Sequence, residues 1–559
     1  MTKAPPGRGR TVARAACALF ILWPGGGLAQ TVRRGPYLQS GTPQSIVVRW
    51  RTDVPTASRV RYGAAPGSLT SAADDPAVTT EHVVSLSGFS AGTRYYYSVG
   101  TPAAELAGND LLTFFFTSPA PGTSRPTRIW VVGDSGTANA NAAAVRTAYE
   151  NFTGARQTDL WLMLGDNAYP DGTDAEYQAA VFDMYPALLR KSVLWPTLGN
   201  HDGHTADSGA QTGPYYDIFT LPENGDAGGL ASGTEAYYSF DFGNVHFICL
   251  ESYETPRSPS GAMMTWLASD IASTAREWVI AFWHHPPYTR GSHDSDTETE
   301  LREMRENALP ILEAAGVDLV LTGHSHSYER SFLLDGHYGT ASSLLPSMKK
   351  DPGSGRQNET GAYRKPAGGA SHAGAVYVVA GSAGQTGGGP LNHPAMFISL
   401  NSLGSLVLDV DGKRLDAVFL RSDGTTQDSF TIQKGRRLHT VAPCRLFDTR
   451  SAAGPRGGPE LGANSDRTFP IAGSCNVPAS ARAISGNLTV TQSSGPGDLR
   501  VYPGGHPLPL VSTLNFGRGQ TRANNVVAEL GAAGDLAIRC TMGSGQTVHA
   551  ILDVTGYLD

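Results

Sequence analysis

Five times between residues 128 and 326, an apolar run of strand length ends in a cluster of side chains able to bind metal. The first two are Val131-Val132-Gly133-Asp134-Ser135-Gly136 and Trp161-Leu162-Met163-Leu164-Gly165-Asp166-Asn167-Ala168-Tyr169. The third is Trp195-Pro196-Thr197-Leu198-Gly199-Asn200-His201-Asp202. The last two are Val279-Ile280-Ala281-Phe282-Trp283-His284-His285-Pro286 and Leu319-Val320-Leu321-Thr322-Gly323-His324-Ser325-His326. Such runs read as buried strands, and a glycine at the end lets the chain turn sharply. Taken singly, a strand-end Asp is a turn former and a strand-end His a satisfied structural residue. The recurrence calls for a fold that brings strand ends to one crevice, as open α/β sheets do.

The clusters supply carboxylate, amide, imidazole and phenol. That mix suits harder first-row metals, in contrast to the thiolates of structural zinc sites. There are enough donors for two ions. Two ions about 3.5–4 Å apart need a shared anion, and a carboxylate flanked by Gly suits that role.

The rest of the chain sorts into distinct stretches. Residues 31–118 alternate as strands do, in Ser45-Ile46-Val47-Val48-Arg49-Trp50, Arg59-Val60-Arg61-Tyr62 and Tyr95-Tyr96-Tyr97-Ser98-Val99. Phe89 to Tyr95 has the apolar, Gly, Tyr spacing of a tyrosine corner, so the stretch looks like a fibronectin type III-like β-sandwich. Its tyrosines then read as core plus corner rather than as a sugar-binding platform. Residues 119–126 form a linker rich in Pro, Gly, Ser and Thr.

From Arg128 strands alternate with helical stretches, which predicts an α/β core over residues 127–434. Helices are expected over 140–149, 175–190, 263–272 and 298–315, and a hairpin over 237–251. Leu408-Asp409-Val410-Asp411-Gly412 reads as an Asp-Gly hairpin turn, because the later acidic ligands of a calcium loop are missing. Residues 439–559 carry short strands and Gly-rich turns. They resemble a β-rich module found at the ends of secreted bacterial proteins, with Asp448 and Arg450 read as a salt bridge.

The chain has 559 residues, 66 Gly, 36 Pro and a formal charge of -7, the profile of a multi-domain protein with long loops. That charge gives no electrostatic reason to expect nucleic acid or an anionic membrane as partner. Residues 1–29 read as a secretory signal: Lys3, Arg8, Arg10 and Arg14 precede the apolar stretch 15–23, with Gly27-Leu28-Ala29 for cleavage. No other segment is long and apolar enough to span a bilayer, so the protein is expected to be secreted, periplasmic or at the cell surface. Cys249 sits in a strand-like run as a buried thiol. Cys444, Cys475 and Cys540 allow one disulfide and one leftover thiol, with Cys444–Cys475 favoured.

Gly-Asp-x-Gly, Gly-Asp-x-x-Tyr, Gly-Asn-His-Asp, a strand-borne His and Gly-His-x-His occur here in the order of the metallophosphoesterase superfamily. Within it the chain resembles the purple acid phosphatases, up to about Lys434. The resemblance implies a two-sheet αββα sandwich as the core. It implies an Fe(III) site of Asp134, Asp166, Tyr169 and His326, and a site for a divalent ion (Fe, Zn or Mn) of Asp166, Asn200, His284 and His324. Asp166 is then the bridge, and Tyr169 the residue that marks the purple branch. His284 is preferred over His285 because the family's ligand commonly has Pro two places on, as Pro286 is here.

The implied activity is hydrolysis of phosphomonoesters at mildly acidic pH, by attack of a metal-bound hydroxide on a small-molecule substrate held across two cations. His201 is expected to contact the phosphate, with Asp202 orienting its ring. His293, nine residues after His284, is expected to protonate the leaving group. His204, His285 and His337 are nearby candidates without an assigned role. Rival readings are a phosphodiesterase or nucleotidase on the same core, and a non-catalytic surface-binding protein. The C-terminal module is the candidate for cell-surface contact, and oligomeric state is open.

Overall fold

The structure is a computed structural model that describes residues 1–2, 30–436 and 438–558. The signal-peptide stretch at 1–29 falls outside the described residues but for its first two. Among the described residues no helix is long and apolar enough to cross a membrane.

The N-terminal part is built on the long strand Ser45–Gly63. Its first half pairs with Val32–Gln39 and its second half with Arg94–Gly100, and Ser71–Ser87 runs along its other edge. The apolar face closes over Trp50, Val60, Val84, Leu86 and Phe115, all buried. Phe89 packs on Tyr95 at 4.4 Å, and the Ser90 amide donates to the Tyr95 hydroxyl at 3.2 Å. Tyr97 is fully buried and donates its hydroxyl to the carbonyl of Arg190. Tyr97 is therefore a core residue and Tyr95 packs at the corner.

Two seven-stranded sheets follow. The first runs Tyr363–Lys365, Thr426–Lys434, Arg414–Arg421, Gly404–Asp411, Thr127–Val132, Leu160–Met163, Val193–Pro196, with the last three parallel. The second runs Tyr238–Phe242, Val245–Cys249, Trp278–Phe282, Leu319–Thr322, Val376–Ala380, Tyr328–Ser331, Met396–Leu400, and its second to fifth strands are parallel. These parallel strands are buried along their whole length, which explains their continuous apolar runs. Arg330, fully buried on the second sheet, donates to Asp428 on the first at 2.6 Å and 3.0 Å, and Tyr328 adds a hydrogen bond at 2.8 Å. An ion pair so enclosed ties the sheets together, and removing one partner would strand the other charge.

Two expected helices are interrupted. The stretch 175–190 forms Asp174–Tyr177, a π turn at Gln178–Phe182 and a separate turn Pro186–Leu189. The stretch 298–315 splits at a π turn, Met304–Ala308, before Leu309–Ala315. A proline without an N–H stands first in Pro186–Leu189 and second in Leu309–Ala315, so the regular i→i−4 ladder is not continuous through either. The hairpins at Phe242–Val245 and Asp411–Arg414 form as expected.

The C-terminal part is all β. One sheet runs Leu438–Asp448, Thr547–Leu558, Ala483–Thr491, Arg522–Glu529, and the other Ser465–Pro470, Asp535–Met542, Gly497–Pro503, Leu514–Phe516. Its hydrophobic cluster is separate from that of the preceding residues. Cys444 and Cys475 are disulfide-bonded, while Cys249 and Cys540 are buried thiols. Asp448 accepts from Arg450 at 2.7 Å, an ion pair internal to this part.

Candidate metal centre

All five clusters leave the C-terminal ends of parallel strands, three from the first sheet and two from the second. The turns are tight enough to force unusual backbone. Asp134, Asp166 and His324 have φ of 55°, 52° and 65°, a left-handed conformation uncommon for residues with a Cβ and characteristic of functional sites. The adjacent glycines allow the close approach. A Cβ on Gly165 would stand 2.5 Å from His284 Nδ1, and one on Gly199 would stand 2.1 Å from the Asp166 amide nitrogen.

Asp166 lies at the centre of two groups of donors. On one side the Tyr169 phenolic oxygen is 2.8 Å from Asp166 Oδ2, 3.2 Å from Asp134 Oδ1 and 3.2 Å from His326 Nε2. On the other, Asp166 Oδ1 is 3.4 Å from His284 Nε2, while Asn200 Oδ1 is 3.0 Å from both His284 Nε2 and His324 Nδ1. His324 Nδ1 and His284 Nε2 are 3.2 Å apart. One carboxylate therefore presents one oxygen to each group.

The donor set fits cations. His284 Nδ1 donates to the carbonyl of Leu164 at 2.8 Å, so a neutral His284 turns a lone pair from Nε2 toward the Asn200 and Asp166 oxygens. Acceptors facing one another in a buried crevice need positive charge between them. Burial disfavours a protonated His284, but the charges of Asp166 and Asp134 outweigh it and raise its proton affinity. A metal ion would answer the same field. Burial, then Asp134 and Asp166, also hold the Tyr169 phenol protonated far above its usual range, so phenolate formation requires an adjacent cation. Burial pulls His324 down to about 4, which leaves it the neutral imidazole that ligation needs.

His201 lies at the rim. Its amide donates to Asp166 Oδ1 at 3.0 Å, and its ring packs on Tyr169 with centroids 4.5 Å apart. Asp202, expected to orient that ring, does not. His201 Nδ1 instead faces the carbonyl of Pro170 at 2.6 Å, leaving Nε2 toward the crevice, 3.9 Å from Asp166 Oδ2. Asp202 is turned inward by the short helical turn Asp202–His204. Fully buried, it accepts from the amides of Asn167 and Gly199, the Asn167 side chain and the Tyr177 hydroxyl. It thus clamps the loops that carry Asp166 and Asn200.

His293 is half-buried, its ring 3.8 Å from that of His324 and 6.4 Å from that of His326. His285 is held by Ser252 Oγ at 2.9 Å, His204 pairs with Asp171 on the surface, and His337 stacks on Tyr288. Two contributors escaped the sequence reading. Glu298 Oε2 is 2.9 Å from His293 Nδ1 and 3.4 Å from His324 Nε2, a carboxylate behind the imidazole. Gln385 Nε2 is 3.3 Å from His326 Nε2. Gln385 follows a sixth apolar run ending in glycine, Val376–Ala380 then Gly381, so the construction was visible although its residue is no typical ligand.

Residues 34–118 match the family described as "Purple acid Phosphatase, N-terminal domain", and residues 127–328 match "Calcineurin-like phosphoesterase". Purple acid phosphatase 15 of Arabidopsis thaliana is 29% identical over 277 residues, 45% of this chain and 49% of that protein. Purple acid phosphatase 23 of the same plant is 28% identical over 277 residues, covering 44% and 57%. The chain thus spans about half the length of the curated relatives it matches.

Among solved structures, a purple acid phosphatase from yellow lupin (Lupinus luteus) superposes with a TM-score of 0.55 at 18% identity, over 72% of this chain and 75% of that one. PhoD superposes with a TM-score of 0.52 at 14% identity, over 74% and 92%. At such identities the likeness is one of fold. Taken with the strand-end motifs, the two family matches identify residues 34–118 as a purple acid phosphatase N-terminal domain and residues 127–328 as a calcineurin-like phosphoesterase domain.

Proposed function

We propose that the protein is an acid phosphatase that hydrolyses phosphomonoesters at a dinuclear Fe(III)–M(II) centre, M being Fe, Zn or Mn. The observation that carries this reading is Asp166, with one oxygen toward Tyr169 and the other toward His284. Asp134, Asp166, Tyr169 and His326 would hold the ferric ion, and Asp166, Asn200, His284 and His324 the divalent one. When bound, the two ions would neutralise the phosphate dianion and acidify the attacking water.

The chain's own groups would do the rest. His201 Nε2, set by the Pro170 carbonyl, faces the crevice as a contact for a phosphate oxygen. His293, backed by Glu298, sits beside His324 where a departing alkoxide would collect a proton. Asp202 holds the ligand loops in register and takes no part in proton transfer. In this reading the chain divides into a signal at 1–29, a fibronectin type III-like sandwich at 31–118, an αββα catalytic core at 127–434 and a C-terminal β module at 439–559. The protein is exported.

Metal analysis with a visible spectrum on freshly purified protein tests the reading. Two metals per chain, at least one of them iron, and a purple charge-transfer band are expected. A colourless protein that hydrolyses bis-nitrophenyl phosphate faster than the mono-ester would overturn it in favour of a diesterase.

A further inference from the structure

The chain is acidic overall, with a formal charge of -7, yet one cavity gathers positive charge. It has a volume of about 660 Å³ and is lined by Arg364, Lys365, Arg436, His439 and Arg482, with no acidic residue in its wall among the described residues. It opens where the edge strand Tyr363–Lys365 of the first core sheet meets the beginning of the C-terminal part. The remainder of the wall is small and apolar, including Pro366, Ala367 and Ala370.

The charge in this cavity is poorly matched from within the protein. Lys365 and Lys434, both with fully buried side chains, share the single carboxylate of Asp318 at 2.7 Å each, leaving one buried positive charge in excess. Arg436 pairs with Glu529 at 2.7 Å. The guanidinium groups of Arg364 and Arg482 have no hydrogen-bond or ion-pair partner among the described residues. Exposed arginines are common singly. Two unpaired guanidinium groups converging on one concave wall, with an uncompensated charge behind it, focus a positive potential. The guanidinium fork is matched in geometry to oxyanions such as sulfate and phosphate.

We propose that this cavity binds a polyvalent organic oxyanion, with sulfate or phosphate ester groups on the arginines and its carbon skeleton against the apolar wall. The stacked rings of His439 and Tyr557, 4.7 Å apart, give that wall a firm edge. The site is separate from the candidate metal centre, none of whose residues lines it. Such a ligand is either a free small molecule or a unit of an anionic polymer, and the two sources share the same recognition chemistry.

The test uses the full chain at low ionic strength with two probes that carry no phosphoester, dextran sulfate and inorganic sulfate. Binding of at least one is expected, weakened about tenfold or more in the double variant Arg364→Glu/Arg482→Glu, with thermal midpoint unchanged. Tighter binding of dextran sulfate per site is expected, whereas equal binding of inorganic sulfate would overturn the role given to the carbon skeleton and the apolar wall. A control pair of equal charge change, Arg302→Glu/Arg518→Glu, should leave binding nearly intact, as should Asp166→Ala. Failure of both probes to bind would overturn the proposal. So would equal losses in the two double variants, or a loss confined to Asp166→Ala.

Discussion

The Glu298 carboxylate accepts a hydrogen bond from His293 Nδ1 at 2.9 Å, and the same oxygen lies 3.4 Å from His324 Nε2. One acidic side chain at the start of the helix Thr299–Glu303 thus steadies both a candidate ligand and the candidate acid. His293→Ala should slow hydrolysis of alkyl phosphates by about 10²-fold or more while sparing nitrophenyl phosphate, whose leaving group needs no proton. Glu298→Gln should show the same dependence on leaving group with a smaller loss. Equal losses on the two substrate types would remove the acid role from His293.

Asp166 and Tyr169 separate metal retention from colour. Asp166→Ala should empty both sites and abolish turnover, since one carboxylate faces both groups of donors. Tyr169→Phe removes only the phenol oxygen, so it should bleach the visible band while bound metal is largely retained. Full colour in Tyr169→Phe would show that the ferric ligands have been assigned to the wrong residues.

Asp202 acts as a clamp, and its removal should be felt as loss of structure. Asp202→Asn replaces a carboxylate that receives two backbone amides, a side-chain amide and a tyrosine hydroxyl in a fully buried site. The cost should be roughly 2 kcal/mol, because the amide NH2 would face donors it cannot pair with, while burial and then Asp166 push the carboxyl up to about 6 and make its charge no source of stability in itself. Urea titration would show this as a lower midpoint, and dialysis against chelator as faster metal loss. A variant with unaltered stability but a displaced pH profile would instead give Asp202 a role in proton transfer.

His246 should make stability fall on the alkaline side. The ring is buried between Asp241 at 2.8 Å and Asp270 at 2.9 Å. Burial disfavours its charge, but the two carboxylates more than compensate and raise its pKa from 6.5 to about 9. Because the folded value exceeds the unfolded one, the stabilisation is complete below about pH 6.5 and is lost as pH rises through 9. The difference amounts to roughly 3 kcal/mol. Denaturation midpoints between pH 6 and 10 should decline for the native protein and stay flatter for His246→Gln. Parallel curves for the two proteins would rule out this pair of carboxylates as the source.

The five strand-end clusters were readable along the chain because each is local. A buried strand, a glycine and a polar side chain within a few residues obey rules of periodicity and backbone sterics that need no tertiary knowledge. The hairpins at Phe242–Val245 and Asp411–Arg414 were legible for the same reason, whereas the sequence left the pairing among Cys444, Cys475 and Cys540 open and the fold joins Cys444 to Cys475. The unbroken helix expected over 175–190 failed because a helical period counts side chains and overlooks the missing N–H of Pro186.

What the sequence by itself determined is therefore that carboxylate, amide, imidazole and phenol side chains stand at the ends of buried strands, and the resemblance to the purple acid phosphatases selects Asp134, Asp166, Tyr169, Asn200, His284, His324 and His326 among them as the proposed donors. Only the tertiary structure decided how those donors are held. The Pro170 carbonyl sets the His201 ring, Asp202 faces inward to the Asn167 loop, and Glu298 backs His293. These are hydrogen bonds between segments far apart in sequence or between turns whose direction no periodicity encodes. Their geometry exists only once the neighbouring strands that carry the Pro170 and His201 loops have paired, and once the chain after Trp278–Phe282 has turned back on itself.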